Sequence, residues 1–180
     1  MLQNPQIPFD VLVIALTGIC LYTDLRCQKI YNKVLFPFAL AGIALQLYFH
    51  GPKGLLEGAA GFLTGLLLLL IPFARHQMGA GDVKLLAVIG IYKGPQFTLL
   101  VFLGAALAGG AAAAVLLGRR GRLLSAMRAI GYNFLFRLFR LPIPYTFTPL
   151  EEAAPGDYLP FGAALAAGVL AAYLFADVLG

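Results

Sequence analysis

The chain has 180 residues, of which 61% are apolar and 12% charged, with a net charge of +5 and a strongly positive mean hydropathy. An ordinary soluble domain is about 45–50% apolar and about 25% charged, so the composition argues against a soluble enzyme, a disordered tail and a nucleic-acid-binding module. The two cysteines, Cys20 and Cys27, form no C-x-x-C pair and no disulfide framework.

In chain order, the first ten residues hold no Lys or Arg ahead of the first apolar run. They lack the basic start of a secretory signal and read as a mature N-terminus. Apolar runs then fall at about 9–23, 34–49, 54–73, 83–92, 97–117 and 159–179. A helix needs about 20 residues to cross the hydrocarbon core, so the chain reads as one all-α, polytopic membrane domain over 1–180, with six spans expected. The fourth run is short, and the Gly-rich stretch before it must lie at membrane depth to complete a crossing. Small residues spaced three or four apart, at Gly61 and Gly65, at Gly90 and Gly94, and along 104–114, predict close helix packing.

Eleven of the thirteen Lys and Arg fall in the first, third and fifth loops, against Lys53 and Lys93 on the other side. Basic loops stay in the cytoplasm, which predicts those loops inside and both termini outside. The fifth loop, about 118–158, divides in two. Residues 122–140 read as a basic amphipathic helix suited to a bilayer containing anionic lipids, and the stretch after it is Pro-rich with three acids, Glu151, Glu152 and Asp157.

Asp24 closes the first run and Asp82 opens the fourth, at the same predicted leaflet. An ionisable group at membrane depth is costly and is a functional candidate by default. Two such carboxylates suit water activation: one takes a proton from water while the other, protonated, polarises a carbonyl and then protonates the leaving amine. In Gly79-Ala80-Gly81-Asp82 the glycines are expected to permit positive φ and to let a substrate backbone approach. The plainer alternatives are that Asp82 caps its helix and that Asp24 forms a surface ion pair with Arg26. Lys84 could bias Asp82 toward ionisation. His50 and His76 sit on opposite predicted faces and cannot share a metal, and Cys20 reads as a packing residue.

The run Gly-Ala-Gly-Asp-Val-Lys at 79–84, the run Asp-Leu-Arg-Cys-Gln-Lys-Ile-Tyr-Asn at 24–32 and Leu159-Pro160-Phe161-Gly162 together resemble the type IV prepilin peptidases, membrane aspartyl proteases of the GxGD type, and within them the short forms of tight-adherence (Flp) pilus systems. The family's usual I-P-N is Ile30-Tyr31-Asn32 here, which leaves Asn32 as a supporting residue beside Lys84. The resemblance implies cleavage of a basic leader from type IV prepilin or pseudopilin substrates at the cytoplasmic face of the bacterial inner membrane. It implies Asp24 and Asp82 as the catalytic pair, no cofactor, and no N-methyltransferase activity. Gly79, Gly81, Glu151, Glu152 and Asp157 are the expected substrate-binding residues. The rival readings are a small proton- or cation-coupled transporter or channel subunit using the same aspartates, and a noncatalytic assembly scaffold; the absence of an internal sequence repeat weighs against the first.

Overall fold

The computed structural model describes residues 6–74, 78–119 and 161–179, with no side-chain description at 117 and 176–179. All four elements are helices: α1 (Gln6–Cys27), α2 (Asn32–Ala74), α3 (Ala80–Arg119) and α4 (Phe161–Leu179). Of the described residues, those of 6–108 and 161–179 belong to one compact unit and 109–119 to another; the packing below concerns the first. The expected loop helix at 122–140 lies outside the described residues.

Two of these helices are broken internally by the same device. Gly51 (φ 63°) precedes Pro52, and Gly94 (φ 75°) precedes Pro95. Glycine takes this positive φ, with ψ of −150° at Gly51 and −178° at Gly94, without a Cβ clash and so ends one helical arm. Proline, whose fixed φ suits a first helical position and whose missing N–H is an orphan there anyway, starts the next. The six apolar runs thus fall on six helical segments, two of them paired in α2 and two in α3. By length and apolarity, residues 6–27, 32–74 and 80–116 qualify as membrane-crossing helices, and 161–175 is a shorter apolar helix.

The inward faces follow helical periodicity. Along α1 the buried residues are Phe9, Val13, Leu16, Thr17, Cys20 and Asp24, on one helical face, so Asp24 terminates the stripe that faces the other helices. The first arm of α3 is buried on every side: Leu85, Leu86, Ala87, Val88, Ile89, Ile91 and Tyr92 are all inaccessible. A helix that is apolar all round belongs at the centre of a bundle. Large apolar side chains also point outward, Leu56 at 72% exposure among them with Phe36, Leu67 and Leu107, as suits a protein whose solvent is lipid.

The predicted glycine contacts are present and very tight. A Cβ on Gly61 would strike the Gly90 backbone, one on Gly90 would strike Gly61, and one on Gly65 would lie 2.7 Å from the Leu86 carbonyl oxygen. These glycines let the second arm of α2 meet α3 backbone to backbone, where dispersion contacts replace the missing hydrophobic drive. At the start of the 104–114 run a Cβ on Gly104 would lie 2.9 Å from Gly168 Cα of α4, whereas one on Gly110 would meet nothing within 4 Å among the described residues.

Candidate active site

The end of α1 is shaped by an unusual cap. Gln28 adopts a left-handed conformation (φ 51°) and its N–H donates to the Asp24 carbonyl at 2.8 Å. That single bond satisfies an orphan acceptor of the last turn. The chain then turns through Ile30 and enters α2 at Asn32. The link is short, so the end of α1 and the start of α2 lie at the same end of the bundle.

α3 begins at the same end. Its helix starts at Ala80, so Gly81 and Asp82 belong to the first turn, and Asp82 Oδ2 accepts the Gly79 N–H at 3.3 Å. A third-position acid reaching back to the N–H before its helix is one half of a capping box. The capping alternative holds in part: Asp82 is the third helical residue and its bond to Gly79 has no return bond, since glycine has no side chain to give one, and Asp82 itself is buried, 5% exposed.

The expected positive φ at Gly79 and Gly81 is not found; among the described glycines only Gly51 and Gly94 have it. What excludes a side chain at Gly81 is a neighbour: a Cβ there would lie 2.8 Å from Ile30 Cβ and 3.4 Å from the Ile30 carbonyl oxygen. The α1–α2 link thus sits directly on the first turn of α3. At Gly79 a Cβ would meet only Asp82 Oδ2, at an ordinary 3.4 Å.

Asp24 is 2% exposed, which disposes of the surface ion pair with Arg26. The Arg26 guanidinium lies instead over the Tyr22 ring, 5.3 Å from its centroid. Asp24 Oδ2 accepts the Gly162 N–H from the first turn of α4 at 2.9 Å. Asp24 and Asp82, 58 positions apart, are brought to the same end of the bundle, because Ile30, just after the end of α1, lies against Gly81 beside Asp82. Among the described residues each carboxylate accepts one hydrogen bond, through Oδ2, and each Oδ1 is left without a protein donor.

Lys84 Nζ donates to Asn32 Oδ1 at 3.0 Å. Lys84 therefore ties the first turn of α3 to the start of α2 rather than pairing with Asp82. Glu151, Glu152 and Asp157 lie outside the described residues, as does His76. Sequence reasoning gave Gly162 no role of its own, although Leu159-Pro160-Phe161-Gly162 had been noted and a small residue in the first turn of an apolar helix is a visible signal. Among the described residues no three His, Cys, Asp or Glu side chains come together as a metal site would need.

A second polar cluster occupies the opposite end of α1. Asp10 pairs with Lys93 and accepts the Tyr173 hydroxyl at 2.8 Å, joining α1, α3 and α4. Lys93 also lies over the rings of Phe97 and Tyr173. One of the two basic residues assigned to the outer face is therefore neutralised by an acid of the same face.

Residues 11–114 match the type IV leader peptidase family. The chain is also 31% identical over 172 residues to the prepilin leader peptidase/N-methyltransferase of Bacillus subtilis (strain 168), a match that covers 93% of this chain and 55% of that protein. The chain thus spans about half the length of the curated relative it matches. No solved structure matches it. With the matched segment containing most of α1, both arms of α2 and most of α3, Asp24 and Asp82 included, the chain belongs to the type IV leader peptidase family.

Proposed function

We propose that this protein is a membrane aspartic endopeptidase that removes the leader from type IV prepilin or pseudopilin substrates, with Asp24 and Asp82 activating the hydrolytic water. One observation carries the reading: two buried carboxylates from different helices converge at one end of the bundle, each held through Oδ2 by a main-chain N–H. The two Oδ1 atoms are then the natural partners of a shared water and a substrate carbonyl.

Neighbouring carboxylates of this kind share one proton. The ionised member takes a proton from water as its oxygen attacks the scissile carbonyl carbon. The protonated member donates to the carbonyl oxygen and, as the tetrahedral intermediate collapses, a proton reaches the leaving amine. The roles belong to the pair rather than to either residue. A peptide carbonyl inside an α-helix is already hydrogen-bonded, so the cleaved segment must be extended at the site.

The dyad lies at the end of the bundle that carries Arg26, Lys29, Lys33 and Lys84, which favours the cytoplasmic face of the inner membrane by the bias of basic residues. The same end is where a basic leader preceding an apolar helix would present its cleavage segment. Methyl transfer, part of the relative's name, is not part of the proposed activity. The transporter reading finds less support: among the described residues the other buried polar side chains, Thr17, Gln46 and Thr98, all donate to main-chain carbonyls.

The test is direct cleavage. The purified chain in lipid is incubated with a prepilin-type substrate, and the new N-terminus is identified by mass spectrometry. A single cut between the basic leader and the apolar helix is expected. An inserted, folded protein that leaves such substrates intact contradicts the reading.

A further inference from the structure

The first turn of a helix has N–H groups with no partner inside the helix. In α4 one of these, on Gly162, is spent on Asp24 across 138 positions of chain, at 2.9 Å and away from solvent. The approach is possible only because residue 162 has no side chain. A Cβ there would fall 2.6 Å from Asp24 Oδ2, 3.0 Å from Cγ and 3.1 Å from Cβ, so it would collide with the whole carboxylate rather than with a movable tip.

Electrostatics point the same way. Asp24 lies in the last turn of α1, where unpaired carbonyls make the helix end negative, an unfavourable place for a carboxylate. The N-terminal turn of α4 brings the opposite partial charge to the same spot. α4 is in turn seated on α3: Gly104 meets Gly168, a Cβ on Gly168 would strike the Val101 carbonyl, and the Phe97 and Tyr173 rings stack edge to face at 5.1 Å. Those contacts are to the second arm of α3; Asp82 is carried by the first arm, whose last residue, Lys93, lies over the Tyr173 ring of α4. The helix that orients Asp24 is therefore registered against the helix that carries its partner.

We infer that Gly162 is the positioning residue for Asp24, and that α4 serves as the template fixing the two carboxylates relative to each other. The inference rests on the reading of Asp24 as catalytic. By holding Oδ2, the Gly162 N–H fixes the carboxylate rotamer and leaves Oδ1 for the water. Catalytic groups displaced by about 1 Å commonly lose about a hundredfold in rate, and a methyl at 162 must force a displacement of this order.

The experiment compares Gly162→Ala, Val169→Ala and Asp24→Asn in leader cleavage by purified full-length protein. Val169 is buried on the same helix, seven residues and so about 10 Å along its axis from Gly162. Gly162→Ala should lower kcat by about tenfold to a hundredfold with KM within about twofold. Val169→Ala should lower thermal stability while kcat stays within about twofold of the parent. A Gly162→Ala enzyme with parental kcat beside an inactive Asp24→Asn enzyme overturns the positioning role and leaves the catalytic pair standing. An active Asp24→Asn enzyme overturns both.

Amide hydrogen exchange decides the matter even where Gly162→Ala fails to insert. First-turn amides ordinarily exchange freely, so protection of the Gly162 N–H in the parent, lost at least about tenfold in Asp24→Ala while the Leu165 amide is unchanged, is the expected result. Equal Gly162 exchange rates in the parent and Asp24→Ala overturn the inference.

Discussion

Gln46 donates through Nε2 to the Ile91 carbonyl at 2.9 Å and to the Tyr92 carbonyl at 3.1 Å. Pro95 has no N–H to give the Ile91 carbonyl four residues earlier, and the break at Gly94 frees the next one. A buried carboxamide from α2 therefore takes up acceptors that the bend in α3 leaves over.

Gln46→Leu keeps the side-chain volume but leaves both carbonyls without this donor. Stability should fall by about 1–2 kcal/mol, the scale of a polar contact between membrane helices. Reversible unfolding in mixed detergent micelles measures it. An unchanged midpoint would show that the bend is satisfied without Gln46.

Much of this arrangement was legible in the sequence. The apolar runs mark the six helical segments, and helical spacing places Asp24 at the foot of the stripe Phe9, Val13, Leu16 and Cys20. The Gly-Pro pairs at 51–52 and 94–95 also carry the breaks locally, though Gly94 was read only as a packing residue beside Gly90. What could not be read is what depends on distant chain: Gly162 on Asp24, Ile30 on Gly81, Gln46 on Ile91, and Asp10 with Lys93. Gly81 is the instructive case. A glycine in a Gly-x-Gly run suggests conformational freedom, whereas here it is helical and is required by a neighbour 51 positions away.

That distinction is measurable. Gly81→Ala should disturb the first turn of α3 and slow cleavage by tenfold or more, at the scale of a small displacement of a catalytic group. Ile30→Gly removes the opposing Cβ, so the double variant should recover most of the loss, as contacting residues couple in double-mutant cycles. A purely conformational demand for glycine at 81 would leave the double variant as slow as Gly81→Ala.

Orientation can be read from the cysteines. Cys27 is exposed at the dyad end of α1 and Cys20 is buried, so a membrane-impermeant thiol reagent reports on Cys27 alone. Labelling is expected in inverted vesicles and not in intact cells, and Cys27→Ser should abolish it. Labelling of intact cells would place the dyad on the outer side.

The central claim is that Asp24 and Asp82 act together on one water, and the most direct measurement is the steady-state rate of leader cleavage by purified Asp24→Asn and Asp82→Asn. Asparagine keeps the size and can still accept the N–H of Gly162 or Gly79, so both variants should insert and fold as the parent does. Each should lose kcat by about a thousandfold or more with little change in KM, the signature of a proton-transfer group acting in the transition state. Either variant turning over within about tenfold of the parent would contradict the account.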